Sequence, residues 1–440
     1  MVKILLTSSL YAQTRVDANA PPDQIPERRT RLLMNKTSKS SLPGFALALA
    51  LGPLNALMPN NASADAGFQQ WIANFYGTAA KSGITKSTYR QAFSGVTDPD
   101  PTVLEKAAFQ PEFKTPIWDY MDSRVNPYTV DIGRKMAAKY GSTLTRLERQ
   151  FGVDRNILLA IWSMESNYGA VLGKEDRLHY VPRALATLAY ADPQRAGYAR
   201  KQLIAALKIL QDGDVNADGM TGSWAGAMGH TQFIPTSYLL YAVDADGNGR
   251  RDIWNSVPDA LATSANLLMK NGWQSGKTWG YEVMVPKSGG AQAGRTHTLA
   301  EWAALGFARP NGKSFRLGSE RAQLKMPAGP GGPGFLMTGN FSAIKRYNAA
   351  DSYALAVGVL ADSIAGVGGL QQSWPRPAGT LDVTEKFELQ TRLKALGYYD
   401  GAVDGNFGSG SKAAISAVQE RLGIGGDGEP SKQLLDALRK

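Results

Sequence analysis

Apolar residues recur at intervals of three and four over most of residues 67–280, the spacing of helices that bury one face. The stretches GFQQWIANFYGTAAKSG and TRLERQFGVDRNILLAIWSME show it, as do LATLAY, YARKQLIAALKIL and PDALATSANLLMKNGW, with Pro193 and Pro258 near helix starts. Over 281–338 the pattern changes: YEVMVP and AQLKMP read as short strands and PAGPGGPG (327–334) as loop. Helical spacing returns in ADSYALAVGVLADSIAG (350–366). GGLQQSWPRPAGT (368–380) has linker composition, and its few apolar anchors predict a C-terminal unit removable without harm to the rest. That unit shows two helical patterns around GYYDGAVDGNFG. The chain is expected to be mainly α, with a small strand-bearing insertion and a separate C-terminal domain.

The N-terminal 64 residues read differently. Lys36 and Lys39 precede an apolar stretch, GFALALALGPLNALM (44–58), followed by small residues spaced A-x-A at Ala62–Ala64 or Ala64–Ala66. This is the pattern of a cleavable export signal, and Gly52 and Pro53 interrupt a stretch already short for a membrane span. The chain has no cysteine, which excludes disulfides, thiolate metal sites, cysteine nucleophiles and lipid attachment through cysteine. Its three histidines (His179, His230, His297) are widely spaced and do not suggest a multi-histidine metal centre. Of the net charge of +10, about +6 remains beyond residue 64. A basic surface suits an anionic polymer such as nucleic acid, anionic lipid or an acidic cell-wall strand, and equally suits plain solubility. No motif supports a nucleic-acid partner.

Four stretches carry candidate chemistry. In AIWSMESNYG (160–169) the apolar run from Ile157 to Met164 ends at Glu165, which shares a helix face with Ile157, Leu158 and Ile161. Apolar neighbours and the negative end of the helix dipole would both disfavour its carboxylate, which suits a general acid. On spacing alone a solvated or paired helix-end glutamate is an open alternative. GSWAGAMGHTQFIPTSY (222–238) offers Gly222, Gly226 and Gly229 for close backbone approach, with Gln232, Ser237 and Tyr238 for a sugar site or a packed turn. In DADGNGRRD (244–252), Asp244, Asp246 and Asn248 occupy positions 1, 3 and 5 of an EF-hand-type loop, Gly249 the turn and the Arg250 carbonyl position 7. Position 12 is Asn255, so Asp252 or Asp259 must supply the missing oxygens. The similar DGDVNADG (212–219) has Ala217 where the turn glycine belongs and is read as loop. Finally, Tyr347 and Tyr353 in KRYNAADSYALAVGVLAD (345–362) fit either sugar stacking or a core.

Taken together, WSMESNYG, GSWAGAMGHTQFIPTSYLLYAVDADGNGRRDIWNSVPDA and KRYN…SYALAVGVLAD resemble the lytic transglycosylase B family of bacterial murein-cleaving enzymes, over about residues 67–370. The last unit, LQTRLKALGYYDGAVDGNFGSGSKAAISAVQERLGI, resembles the small three-helix peptidoglycan-binding domain, departing at Ser411 and Val418, where that module usually has Thr and an aromatic. The resemblance implies a lysozyme-like helical catalytic domain. The expected division is 1–64 extension and export signal, 65–370 catalytic domain, 371–380 linker and 381–440 peptidoglycan-binding domain. It implies Glu165 as catalytic acid/base; Arg195, Ser223, Gln232, Tyr347 and Tyr353 as glycan-contacting residues; and a calcium site drawn from Asp244, Asp246, Asn248, Arg250, Asp252 and Asp259. No organic cofactor is implied. Peptidoglycan strands are the expected partner, with proteins of wall synthesis or remodelling as further candidates. Without a cysteine to lipidate, the expected form is soluble and periplasmic.

The chemistry expected of such an enzyme needs one carboxyl group. Glu165 would protonate the glycosidic oxygen between N-acetylmuramic acid and N-acetylglucosamine. It would then take the proton of the muramoyl 6-hydroxyl as that oxygen closes on C1, giving a 1,6-anhydro end. Two alternatives stand beside it. A hydrolysing muramidase needs a second carboxylate, for which Glu175 and Asp176 are nearest in sequence. In a non-catalytic wall-binding protein Glu165 would be structural.

Overall fold

The computed structural model describes residues 65–108 and 115–440, so the expected export signal lies outside the described residues. At the centre of the helical body runs the Arg155–Ser166 helix, buried from Ile157 through Ser166. A helix apolar on all sides belongs in the middle of a domain. Its start is set by Asp154, whose Oδ1 accepts from the amides of Asn156 (2.7 Å) and Ile157 (3.4 Å). Around it pack the helices Pro127–Lys139, Gly141–Phe151, Val257–Lys270 and Asp351–Ile364. The helices Val181–Ala191 and Ala196–Asp212 form a second packed pair beside them.

The insertion is a four-stranded antiparallel sheet in the order Gly280–Val283, Gly334–Met337, Arg321–Lys325, Thr296–Thr298. The first and third of these are the strands expected from YEVMVP and AQLKMP. Gly334–Met337 is a correction, because it begins inside the glycine- and proline-rich stretch and is buried at all four positions. A four-residue apolar run covered on both faces shows no alternation to read. Tyr281, Leu299, Trp302, Phe307, Leu324 and Leu336 give this sheet its own core.

The C-terminal unit comprises the helices Val383–Ala395, Ser409–Leu422 and Lys432–Arg439 around Leu389, Leu393, Phe407, Ile415, Leu434 and Leu435. Ser411 and Val418, the two departures, are both buried in it. The stretch before this unit is fastened to the rest of the molecule in ways its composition does not display. The Gln371 and Gln372 amides donate to Glu282 (2.9 and 2.8 Å), and Trp374 packs against Phe335. Arg376 forks onto Asp122 with bonds of 2.9 and 2.6 Å, and Lys386 of the first C-terminal helix reaches the same carboxylate at 2.7 Å. Removal of 376–440 would therefore strip a buried carboxylate of its cations, contrary to the expectation of a freely removable unit.

Candidate active site

Three consecutive left-handed residues, Asn167, Tyr168 and Gly169, end the central helix one residue after Glu165. Asn suits that conformation as a helix C-cap, whereas Tyr does not. Tyr168 is held there by its hydroxyl, which donates to the Thr129 carbonyl at 3.0 Å. Gly169 is required twice, for its φ of 88° and because a Cβ would collide with the His230 ring. Ser166 ties this turn to the glycine-rich segment, its Oγ donating to the His230 carbonyl (2.6 Å) and accepting from the Gly169 amide (2.9 Å). Trp162 Nε1 donates to His230 Nδ1 at 3.1 Å, and burial depresses that imidazole to about 4, so it stays neutral. The residues of E-S-N-Y-G thus build the turn that fixes the end of the helix and the loop opposite.

Glu165 itself is 4% exposed. Burial raises its carboxyl to about 7, against the opposing effects of a hydrogen bond from Tyr353 and the field of the Arg124 guanidinium. Tyr353 Oη donates to Glu165 Oε1 at 2.6 Å, which leaves Oε2 as the oxygen to carry the proton. The Tyr347 ring stacks on Tyr353 with centroids 6.4 Å apart, and its hydroxyl donates to the Thr231 carbonyl at 2.5 Å. Both tyrosines are buried, so here they fix the carboxyl and the 231–232 backbone. From the Ile117–Arg124 helix come Tyr120, whose phenol is pushed up to about 12 by burial, and Arg124, lying 5.7 Å from the Tyr120 ring centroid. Both act electrostatically with Glu165, and Arg124 Nε is buried with no hydrogen-bond partner. Sequence reasoning missed Tyr120 and Arg124. They lie some forty residues upstream in an ordinary amphipathic pattern, and only the fold brings them to Glu165.

Gln232 also stands in the left-handed region, at φ 51°, with its Nε2 donating to the Gly229 carbonyl and its Oε1 buried and unpartnered. Strain of this kind in a non-glycine residue is held by surrounding structure and gathers at functional sites. Ser223 Oγ accepts from the amides of Ala225 and Ala227 at 3.3 and 3.0 Å, shaping the turn that follows it. Arg195, at the start of the Ala196–Asp212 helix, is paired with Asp192 at 2.5 Å and lies over the Trp224 ring. The structure thus links Arg195 to the Ser223–Trp224 turn through that ring. Asp176 is 80% exposed and paired with Arg177. Among the described groups acting on Glu165 there is no carboxylate; the side chain of Glu175 lies outside what is described.

In the acidic loop, carboxylate oxygens of Asp244, Asp246 and Asp259 lie within 4.8 Å of one another. Asp259 is fully buried in the first turn of the Val257–Lys270 helix, accepting from the amides of Ala245, Asp246 and Asp252. Asp246 accepts from the Ser256 hydroxyl at 2.8 Å, and Asp244 from the amides of Gly247, Asn248 and Gly249. Burial raises the Asp259 carboxyl, and the neighbouring Asp246 adds to the rise. A set of close oxygens short of positive charge fits a hard divalent cation. Asn248 Oδ1 accepts from the Arg250 amide, and Asp252 accepts from Trp254 and Asn255. In DGDVNADG, Asp212 and Asp214 pair with Arg251.

Residues 67–362 of this helical body, with the buried Glu165 among them, match the family described as transglycosylase SLT domain. The chain belongs to that family. Residues 387–438 match the putative peptidoglycan binding domain. Membrane-bound lytic murein transglycosylase B of Escherichia coli (strain K12) is 32% identical over 253 residues, covering 56% of this chain and 66% of that protein. The crystal structure of SltB3 from Pseudomonas aeruginosa in complex with NAG-anhNAM-pentapeptide is 44% identical with a TM-score of 0.66, covering 85% of this chain and 99% of the other. Escherichia coli Slt35 in complex with calcium is 27% identical with a TM-score of 0.56, covering 70% and 95%.

Proposed function

We propose that this enzyme cleaves the β-1,4 bond between N-acetylmuramic acid and N-acetylglucosamine of peptidoglycan by intramolecular transfer, with Glu165 as the only acid and base. The observation that carries this is the buried Glu165 carboxyl, with no second carboxylate among the described groups that act on it. Protonated on Oε2 near neutral pH, it donates to the glycosidic oxygen as the C1–O bond breaks, and the aminoglycan leaves with that proton. The carboxylate so formed takes the proton of the muramoyl 6-hydroxyl, whose oxygen bonds to C1. The 6-hydroxyl is tethered to the reacting ring and loses less entropy than a water would. Gln232 Oε1 is a buried acceptor ready for a sugar hydroxyl or acetamido N–H. Ser223 and Arg195, joined through Trp224, are the further glycan contacts proposed, and Tyr347 and Tyr353 hold the Glu165 side.

Calcium is proposed as a structural ion held by Asp244, Asp246 and Asp259, with Asn248, the Arg250 carbonyl and Asp252 completing the loop. It would tie the loop to the Val257–Lys270 helix, whose next turns carry Ser264 beneath Tyr347. The calcium complex of the Slt35 relative supports this reading. The proposed location is the periplasm, reached through the signal in residues 1–64, without a lipid anchor. Among the described residues no helix is long and apolar enough to cross a membrane. Mass spectrometry of digests of purified murein tests the reaction. The expected muropeptides end in 1,6-anhydro-N-acetylmuramic acid, one water lighter than lysozyme-type products. Hydrated reducing ends as the main product would make the enzyme a muramidase.

A further inference from the structure

The eight-residue Ile117–Arg124 helix lies between the catalytic carboxyl and the C-terminal unit. Positions four apart share a helix face and positions two apart lie on nearly opposite ones. Tyr120 and Arg124 therefore form one face, the one whose charges act with Glu165. Asp122, with Asp119 three residues before it, forms the other. Onto that other face come two cations from beyond the catalytic body: the Arg376 guanidinium in a two-bond fork, and the Lys386 ammonium, which also reaches Asp119 at 3.4 Å. The pairing is secluded, with side-chain exposures of 7% for Asp122, 13% for Arg376 and 18% for Lys386. Forked, desolvated pairs fix geometry more firmly than surface pairs do. The helix's far end is tied in as well: Asn126 Nδ2 donates to the Asp122 carbonyl and Thr129 Oγ1 to the Arg124 carbonyl.

We propose that Arg376 and Lys386 are positioning residues for catalysis, which act through Asp122 to hold Tyr120 and Arg124 against Glu165, so that the wall-binding unit is a working part of the active site and not only a tether. The inference rests on Glu165 being the acid. The groups that act with Glu165 are Tyr353, Tyr347, Tyr120 and Arg124. Of these Arg124 alone carries a fixed positive charge, and its field lowers the Glu165 pKa. When the clamp is opened, Arg124 withdraws and that pKa rises. The protonated acid then survives to higher pH, and the alkaline limb of the rate profile moves upward.

The test uses the full-length chain on soluble, uncrosslinked glycan strands, which need no capture at a wall. In Arg376→Ala/Lys386→Ala, kcat should fall about ten- to hundredfold, the scale of a displaced catalytic group. KM should stay within about twofold and the alkaline limb should shift upward, while Arg376→Lys/Lys386→Arg restores both. Lys432→Ala removes a different ion pair of the same unit, to Glu385, and should leave rate and profile unchanged. If the double variant does not fold, Lys386→Ala alone keeps the Arg376 fork and should show the same shift at smaller size. A folded double or single variant with wild-type kcat and an unmoved alkaline limb would overturn the proposal and leave a tether. Activity retained in Glu165→Gln would instead remove the acid on which the clamp is argued to act.

Discussion

Glu165 and Asp122 are two carboxyl groups of almost equal burial, 4% and 7% exposed, on opposite sides of one short helix. Asp122 meets two cations at hydrogen-bond distance. Glu165 meets a phenol, with Arg124 acting on it only through its field. Burial by itself disfavours the charged form, and the partner decides whether that cost is offset. At Asp122 the two cations make the carboxylate a fastening. At Glu165 the partner is a neutral phenol and burial raises the carboxyl to about 7, which suits the acid proposed here. The same interior thus holds one acid for architecture and another for chemistry.

The largest effect that sharpens this contrast is expected from Glu165→Gln. The amide cannot donate and regain the proton, so turnover should fall roughly 10²–10⁴-fold. Stability should move the other way. With the folded pKa of Glu165 raised above its unfolded value, wild-type stability is full below about pH 4.5 and is lost as pH rises through about 7. Above pH 7 the glutamine variant should therefore be the more stable, by up to about 3 kcal/mol in urea unfolding. Asp122→Asn should do the reverse, destabilising by about 2 kcal/mol because two half-buried cations lose a shared counter-charge, Lys386 keeping only Asp119. Equal stability of that variant and wild type would break the comparison.

The proposed calcium site would add a third kind of carboxylate, one that holds a metal cation. At free calcium one hundred times its Kd, folded-state binding should add about 2.7 kcal/mol, read as a rise in Tm that Asp244→Ala/Asp246→Ala abolishes. A Tm indifferent to calcium and chelator would argue against the site. The smallest effect is expected from Tyr353→Phe. Loss of the bond to Oε1 should slow turnover about tenfold, and, since that bond lowers the Glu165 pKa, should move the alkaline limb upward in a pH–rate profile.

Much of this was legible in the chain because local signals and the fold agree. Helical periodicity marked the Ala66–Lys81, Ala196–Asp212 and Val257–Lys270 helices, and Glu165 stood out as a charge at the end of a buried run. The acidic spacing of the loop was visible, and the clustering of Asp259 with Asp244 and Asp246 depends on where the next helix starts. Three things had no local signal. Gly334–Met337 is a strand too short and too buried to alternate. Tyr120 and Arg124 reach Glu165 only through tertiary packing. Arg376 and Lys386 look like ordinary solvated cations of a linker and a surface helix, and nothing in their neighbourhood points to a partner more than two hundred and fifty residues earlier.

The central claim is that an unpaired, buried Glu165 holds its proton near neutrality. Carbon-13 NMR titration of the glutamate carboxyls, with the Glu165 resonance assigned by its disappearance in Glu165→Gln, measures this directly. The account predicts a midpoint of about 7. A midpoint near 4.5, the ordinary value for a glutamate, would mean that the carboxyl is ionised at neutral pH and could not start the reaction as an acid.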